Sequence, residues 1–211
     1  DLPRVNSFHL GADLSNSAPS LGMPRTADRT LKLLRSRPSF LSVSTLEPRK
    51  GHAQTLSAFE LLWAQGEDVN LVFIGKKGWM MDDLVQKMQQ SPEFGKRLFW
   101  LDSISDEYLT HIYEACTCLI FASEGEGFGL PLIEAASHQL PILARDLPVF
   151  QEVAGKHATY FTGLEPQALA LAVRAWRTQK AQKMAPDSAH MPTLTWAQSA
   201  QQLRDVLGLN A

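Results

Sequence analysis

Short apolar runs recur along the chain and alternate with longer segments whose apolar residues are spaced three or four positions apart. The runs have the length of strands buried on both faces of a parallel sheet, and the longer segments have the period of amphipathic helices. This alternation predicts an α/β fold with a Rossmann-like, doubly wound parallel sheet. The predicted strands cover residues 40–45, 71–74, 98–101, 118–122 and 142–144, and the clearest helices cover 52–65, 105–116 and the segment from residue 166 onward.

A glycine-rich segment follows the fourth predicted strand and reads EGEGFGLPLIE from Glu124 to Glu134. Proline suits the first turn of a helix because its missing N–H would be unpaired there, so we expect a helix to begin near Pro131. The glycines before it allow the backbone to approach a ligand closely. Free N–H groups at the start of the helix then favour a phosphate group. The segment therefore predicts a nucleotide-binding site.

Two carboxylates of this segment, Glu126 and Glu134, would repel a phosphate group and must bind something else. A carboxylate accepts two hydrogen bonds and so matches a pair of neighbouring hydroxyls on a ribose or a hexose. One carboxylate could hold the ribose of a nucleotide and the other its sugar. Alternatively, Glu134 could interact only with the helix dipole and Glu126 could be a solvated loop residue. The glycines and proline around them favour the role in ligand binding.

Two adjacent cations, Arg49 and Lys50, follow the first predicted strand in the turn from Leu46 to His52. Arginine offers a planar fork of donors and lysine a compact charge, so together before a helix they suit a pyrophosphate group. Taken alone, such a pair is usually a solvated surface feature. The presence of the glycine-rich segment in the same chain favours the binding role.

These segments together resemble the retaining glycosyltransferases of the GT-B fold, family four. Members of that family carry two glutamates, separated by seven residues, around a Gly-Phe-Gly-Leu-Pro core, and often a Glu-Pro-Arg-Lys turn. The segment GKKGW from Gly75 resembles bacterial mannosyltransferases, and residues 101–107 resemble the family's loop against the nucleobase. The resemblance covers residues 38–161, with a weaker match at 193–196. Ser44 and Thr45 depart from it, because the commonest pattern has Gly-Arg there; Arg49 is assigned that role.

The resemblance implies a role for each candidate residue. As catalytic groups, Arg49 and Lys50 neutralise the leaving diphosphate, while Glu126 grips hydroxyls of the transferred sugar and lends negative charge nearby. Glu134 holds the ribose. The other implied donor-binding residues lie in the glycine-rich segment, in the turn after the second strand and in the nucleobase loop; they are Phe128, Gly129, Leu130, Gly75, Ser103 and Ile104.

The resemblance also implies that this chain is the C-terminal, donor-binding half of a two-domain enzyme. We expect residues 1–37 to form a linker and entry segment, and residues 38–211 to form the nucleotide-sugar-binding domain with its C-terminal helices. In the family, an N-terminal half binds the acceptor, a glycan or a lipid-linked sugar. Without that half the chain should bind donor but transfer sugar poorly.

Composition adds limits to this interpretation. The chain has 211 residues, enough for one such domain, and a formal net charge of -2, which gives no indication of a nucleic-acid partner. No apolar stretch is long enough to cross a bilayer and no signal sequence is recognisable, so we expect a cytoplasmic protein, with peripheral contact at the inner membrane face left open for the full enzyme. Cys116 and Cys118 should be buried and unreactive.

No metal ion or cofactor is expected in this site. The six histidines do not recur at metal-ligand spacing, and Asp82-Asp83 reads as a helix start rather than as a metal-binding Asp-x-Asp motif. The cations and the helix N-terminus would perform the task that a divalent cation performs in the other major glycosyltransferase fold.

The predicted function is therefore retaining transfer of a hexosyl group from a nucleoside diphosphate sugar, with GDP-mannose favoured, in polysaccharide or lipopolysaccharide synthesis. A UDP-sugar donor and a non-catalytic module that binds nucleotide sugars are the alternatives. A nicotinamide oxidoreductase would need a glycine fingerprint directly after the first strand, where only Gly51 is present. An epimerase or a phosphorylase would normally bring a second domain, and no pyridoxal-binding lysine of a phosphorylase is identifiable.

Overall fold

The structure is a computed structural model that describes residues 6–11 and 22–209. The described residues fall into two compact units. The larger contains residues 22–191, and the smaller combines residues 6–11 with residues 192–209.

The larger unit is built on one six-stranded sheet in which every pair of neighbours runs parallel. The strands are β1 (Ser39–Val43), β2 (Asn70–Ile74), β3 (Leu98–Leu101), β4 (Cys118–Phe121), β5 (Ile142–Arg145) and β6 (Thr159–Phe161). Their order across the sheet is β3-β2-β1-β4-β5-β6. This is the order of a dinucleotide-binding fold, in which the chain winds outward in both directions from the centre. The predicted doubly wound sheet is confirmed.

Helices follow the strands along the chain, as parallel pairing requires. They are α1 (Ala27–Arg35), α2 (His52–Ala64), α3 (Asp82–Gln90), α4 (Asp106–Ala115), α5 (Leu130–Ser137), α6 (Pro148–Ala154) and α7 (Pro166–Ala181). Short 3-10 turns occupy Pro48–Lys50 and Gly155–His157. The helix predicted near Pro131 begins one residue earlier, at Leu130.

Aromatic residues join the sheet to two of these helices. Phe40 of β1 packs edge-on against Phe59 of α2, with ring centroids 5.5 Å apart, and against Trp176 of α7, at 5.6 Å. All three side chains are fully buried. Burying a side chain of this size contributes roughly 2 to 3 kcal/mol, so these three side chains help to attach α2 and α7 to the sheet.

Two elements of the larger unit differ from the sequence analysis. Residues 27–35, assigned there to the linker, form α1, which packs against α4 and buries Ala27, Leu31 and Leu34. The linker therefore does not extend over residues 27–35; its residues 1–5 and 12–21 lie outside the described residues. Strand β6 was not predicted, because it has three residues and only Phe161 is fully buried, too short a pattern to recognise.

The smaller unit contains α8 (Trp196–Leu207), which the sequence analysis placed among the C-terminal helices of the main domain. A capping box starts this helix: the Gln198 amide donates to Thr195 Oγ1 at 3.1 Å, and the Thr195 amide donates to Gln198 Oε1 at 2.8 Å. Ser199 Oγ donates to the carbonyl of His9 at 2.7 Å. Residues 6–11 are thereby tied to the first turn of α8.

The turn before α2 depends on a glycine. Gly51 has a φ of +72°, and a Cβ there would lie 2.3 Å from the carbonyl oxygen of Ala122. We expect Gly51→Ala to lower the free energy of unfolding by about 3 kcal/mol, from the left-handed conformation together with the clash. Gly66 is a matched control, since its φ is +82° and no atom lies within 4 Å of a Cβ there.

Chemical unfolding of both variants measures the difference. Gly66→Ala should lose about 1 kcal/mol, the cost of the backbone conformation alone. If both variants lost the same free energy of unfolding, a side chain at position 51 would not clash with the Ala122 carbonyl.

Candidate functional site

The centre of the sheet is where the winding reverses, because β1 and β4 are neighbours and their connections lead away in opposite directions. In open parallel sheets a ligand binds outside the carboxyl ends of the strands at this point. The turn after β1 and the loop after β4 both lie there. These two loops carry the predicted cations and the glycine-rich segment.

The predicted catalytic residues meet at this position. Lys50 Nζ lies 2.5 Å from Glu126 Oε1, and Arg49 Nη1 lies 3.5 Å from Glu126 Oε2. Only 12% of the Lys50 side chain and 10% of the Glu126 side chain are exposed, whereas 51% of Arg49 is. Because solvent screens the exposed pair, the contact between Lys50 and Glu126 is the stronger of the two.

The backbone of the two loops is also joined. The Glu124 amide donates to the Arg49 carbonyl at 2.8 Å, and Arg49 Nη1 donates to the Gly125 carbonyl at 2.9 Å. Arg49 Nε further lies 3.2 Å from the Glu47 carboxylate. The two turns therefore form one structure, so a ligand that contacts the cations also contacts the glycine-rich segment.

Helix α5 begins at the end of that segment. Gly129 is its N-cap residue, with a φ of +101°, and no side chain of the described residues caps the helix. Leu130 is the first helical residue and is partly exposed, and Phe128 is half-buried. Pro131 has no N–H and the Leu132 amide donates to the Gly129 carbonyl at 2.9 Å, so the start of α5 offers a phosphate group the N–H groups of Gly129 and Leu130 and the positive dipole end.

Glu134 lies apart from the three charged residues, further along α5. Its half-buried carboxylate accepts a hydrogen bond from Tyr113 Oη at 2.7 Å. Burial raises the pKa of Glu134, the Tyr113 hydroxyl lowers it, and the negative charge of Asp106 raises it. Burial also raises the pKa of Tyr113 well above its ordinary value, so the phenol is a hydrogen-bond donor at neutral pH.

Ser103 and Ile104 line a cavity of about 440 Å³ at the end of β3. Ser103 has a φ of +53°, unusual for a residue other than glycine, and its hydroxyl donates to Asp102 Oδ1 at 2.8 Å. The structure thus places the predicted nucleobase loop beside an open cavity. The other lining residues come from the segment before α1, from α1, from β3, from the loop after β3 and from α4; they are Gly22, Pro24, Thr26, Thr30, Trp100, Leu101, Asp102, Ser105 and Tyr108.

Gly75 is held against the turn after β1. A Cβ at Gly75 would lie 2.0 Å from the Ser44 carbonyl oxygen, so only glycine permits this approach. The Leu46 amide donates to the Lys76 carbonyl at 2.9 Å, and this continues the pairing of β1 and β2 beyond the strands. Gly75 therefore shapes the turn that carries the cations, and its contact with a donor remains a prediction.

Sequence reasoning missed two polar residues that support this site. Ser123 Oγ donates to Glu126 Oε1 at 2.7 Å. Arg145 is 5% exposed, and it donates to the carbonyls of Ala122 at 2.9 Å and of Gly163 at 2.6 Å. Each comes at the end of a buried strand, on the edge where ligands bind in parallel sheets, and that position is the signal that could have identified them.

The two cysteines are free thiols, and Cys118 is buried as expected, whereas Cys116 is half-buried. Burial raises the pKa of both Cys116 and Cys118, so neither is a reactive thiolate at neutral pH.

Comparison with known proteins assigns the family. The family model of the glycosyl transferases group 1 matches residues 26–189. This chain is a group 1 glycosyltransferase sequence. It is 52% identical over 200 residues to the serotype-specific mannosyltransferase WbdA of Escherichia coli, a match that covers 95% of this chain and 24% of WbdA. It is 33% identical over 116 residues to the O-antigen chain mannosyltransferase B of Escherichia coli, covering 54% of this chain and 30% of that relative.

Solved structures agree with this assignment at the level of fold. A crystal structure of Anabaena Alr3699/HepE in complex with UDP and glucose superposes with a TM-score of 0.73 and 21% identity, covering 95% of this chain and 56% of HepE. The predicted α/β fold of a GT-B glycosyltransferase is confirmed. The chain spans about a quarter of the length of WbdA and about half of HepE.

His52 gives this group 1 chain a sensitivity to acid. The side chain is 1% exposed, its Nε2 lies 3.2 Å from Ser44 Oγ, and burial lowers its pKa from 6.5 to about 4. Between these values the unfolded chain binds a proton that the folded chain does not, so stability falls as pH drops from about 6.5 to about 4. The loss should reach about 3 kcal/mol at most.

Urea unfolding of the parent chain and of His52→Gln across this pH range tests the effect. The variant should lose less stability on acidification than the parent. His190→Gln is the control, because the His190 side chain is 82% exposed. If the free energy of unfolding fell equally with pH in the parent chain and in His52→Gln, protonation of His52 would not be the cause of the acid sensitivity.

Proposed function

We propose that this chain is the donor-binding half of a retaining glycosyltransferase that transfers a hexosyl group from a nucleoside diphosphate sugar to an acceptor hydroxyl. The observation that carries the proposal is the contact of Lys50 and Arg49 with Glu126, in the two loops at which the sheet reverses. Opposite charges are thereby concentrated at the place where this fold binds ligands.

The cations retain donors for a diphosphate group. Lys50 has three N–H donors, and Glu126 occupies one of them. Arg49 has five, and it is half-exposed. With the N–H groups at the start of α5, these donors would stabilise negative charge as it develops on the leaving diphosphate. The proposal therefore requires no divalent cation.

Glu126 is suited to the transferred sugar. Ser123 and Lys50 fix its Oε1, while among the described residues its Oε2 has only the long contact to Arg49, at 3.5 Å. Oε2 can therefore accept hydrogen bonds from sugar hydroxyls. A carboxylate held here also stabilises positive charge that grows on the sugar ring as the bond to diphosphate breaks. Glu126 would act through its charge, and we assign no covalent nucleophile.

The identity of the donor is supported by the relatives. WbdA and the O-antigen chain mannosyltransferase B are both named as mannosyltransferases, at 52% and 33% identity. HepE was crystallised with UDP and glucose, but at 21% identity it shares only the fold. We therefore propose mannose as the transferred sugar and GDP-mannose as the donor, with a surface polysaccharide such as an O-antigen as the product.

The acceptor belongs to a part of the enzyme beyond this chain. The match to HepE covers about half of that protein, which supports an arrangement in which a further domain binds the glycan or lipid-linked acceptor. Within the described residues, no helix is long and apolar enough to span a membrane. We propose action at the cytoplasmic face, where the nucleotide sugar is available.

Titration calorimetry of the 211-residue chain with GDP, UDP and GDP-mannose, each in the presence of a chelator, tests the donor. We expect GDP and GDP-mannose to bind, and UDP to bind at least tenfold more weakly, without metal. Preference for UDP would identify a UDP-sugar transferase. Absence of binding by all three ligands, or binding only after Mg²⁺ is added, would contradict the proposed donor site.

A single substitution tests the proposed contact between Lys50 and the diphosphate group. Lys50→Ala removes a charge-assisted contact, so GDP affinity should fall about tenfold or more, whereas GMP affinity should change far less because it lacks the second phosphate. Lys87→Ala is a matched control, because Lys87 also pairs with a glutamate, Glu60, at 2.6 Å on the helical surface. The control should bind both nucleotides as the parent does. Equal losses of GDP and GMP by Lys50→Ala would place Lys50 away from the second phosphate.

A further inference from the structure

The carboxylate of Glu134 is engaged through one of its two oxygens. Tyr113 Oη donates to Oε2 at 2.7 Å, and within residues 6–11 and 22–209 no hydrogen bond to Oε1 is formed. Glu134 is only half-buried, so Oε1 remains available to a ligand. A carboxylate oxygen accepts two hydrogen bonds, which suits a pair of vicinal hydroxyls.

The tyrosine that makes this contact is held rigidly. Its side chain is 1% exposed within α4, and its ring stacks on His138, the residue that caps α5, with centroids 4.8 Å apart and planes inclined by 6°. Because the ring of Tyr113 stacks on the end of α5 and its hydroxyl donates to Glu134 of that helix, Tyr113 Oη cannot move away from Glu134 without loss of the stacking. Its position is therefore determined by α5 itself.

We propose that Tyr113 is a positioning residue for the donor nucleotide: its hydroxyl fixes one oxygen of Glu134 so that the other accepts hydrogen bonds from the ribose hydroxyls. This inference rests on the proposed function, in which Glu134 holds the ribose. Glutamate has three rotatable side-chain bonds, and ordering such a side chain on binding weakens affinity. A carboxylate that is already fixed avoids that loss.

The electrostatic setting supports this role. Burial and the nearby charge of Asp106 both raise the pKa of Glu134 and so favour its neutral form, which is a poorer acceptor. The hydrogen bond from Tyr113 acts in the opposite sense and favours the carboxylate. The phenol therefore opposes the rise in the pKa of Glu134 as well as fixing the direction of its side chain.

Tyr160, a half-buried tyrosine, provides a comparison. Tyr160 Oη donates to the backbone carbonyls of Phe150 at 3.1 Å and Gly155 at 2.8 Å. These partners stabilise the fold and include no candidate ligand group. Tyr160→Phe therefore removes a hydrogen-bonded phenol hydroxyl that has no candidate ligand group among its partners, so a general effect of losing such a hydroxyl will appear in both variants.

The test compares nucleotides that differ only in the ribose. The parent chain, Tyr113→Phe and Tyr160→Phe are titrated with GDP and with 2′,3′-dideoxy-GDP. We expect the parent to bind GDP more tightly than the dideoxy nucleotide. Tyr113→Phe should weaken GDP binding roughly tenfold, the typical effect of a hydrogen bond to a charged group, and leave dideoxy-GDP binding unchanged. Tyr160→Phe should keep the parent's ratio of affinities.

The outcomes separate the two proposals. A parent that binds neither nucleotide overturns the proposed function and the role of Tyr113 with it. If the parent chain binds GDP and 2′,3′-dideoxy-GDP with equal affinity, then Glu134 does not contact the ribose hydroxyls, and the role of Tyr113 is also overturned. A parent that prefers GDP, together with a Tyr113→Phe variant that keeps the same preference, overturns only the role of Tyr113.

A double variant keeps the proposal testable if Tyr113→Phe also lowers stability. If Tyr113 acts through Glu134, then adding Tyr113→Phe to Glu134→Ala should cause no further loss of GDP affinity, because Glu134→Ala already removes the acceptor of the Tyr113 hydrogen bond. If the losses of GDP affinity in the two single variants added up in the double variant, Tyr113 would affect binding independently of Glu134.

Discussion

The parallel pairing of β1 with β4 is the constraint on which the rest of the site depends. It brings two strands from distant parts of the sequence side by side and so places the turns that follow them in contact. Gly51 can then approach Ala122, and the Glu124 amide can reach the Arg49 carbonyl. Sheet topology, rather than any local motif, therefore creates the meeting of opposite charges at the carboxyl edge.

Lys50 and Glu126 stay charged in a partly buried position because neighbouring polar groups form hydrogen bonds and ion pairs with them. Lys50 and Ser123 both contact Glu126 Oε1, so the carboxylate is neither isolated nor fully neutralised. Arg145 lies beneath the same loop and donates to backbone carbonyls, which holds the chain where β4 ends. An ion pair of this kind adds little net stability, so its retention is better explained by binding than by folding.

Much of this arrangement could be predicted from the sequence, because glycine, proline and charge carry local physical meaning. The helix start near Pro131 follows from turn chemistry, whereas the meeting of Arg49 with Glu126 depends on the order of the strands, which the sequence analysis did not predict. Tyr113 could not be recognised, since the helical period identifies it as a core residue and gives no indication that its hydroxyl reaches a glutamate on another helix. Strand β6 was missed because three residues leave no period to detect.

Helix α4 connects the parts of the proposed donor site. Its N-terminal end borders the cavity beside Ser103 and Ile104, where Tyr108 is one of the lining residues. One turn and a half further on, Tyr113 reaches Glu134 of α5, and α5 begins at the loop that carries Glu126. Base, ribose and sugar would thus contact one continuous set of elements, in the order in which they are joined in the nucleotide sugar. Because α4 and α5 are held together by Tyr113, movement of either helix would disturb recognition of the whole donor rather than of one part.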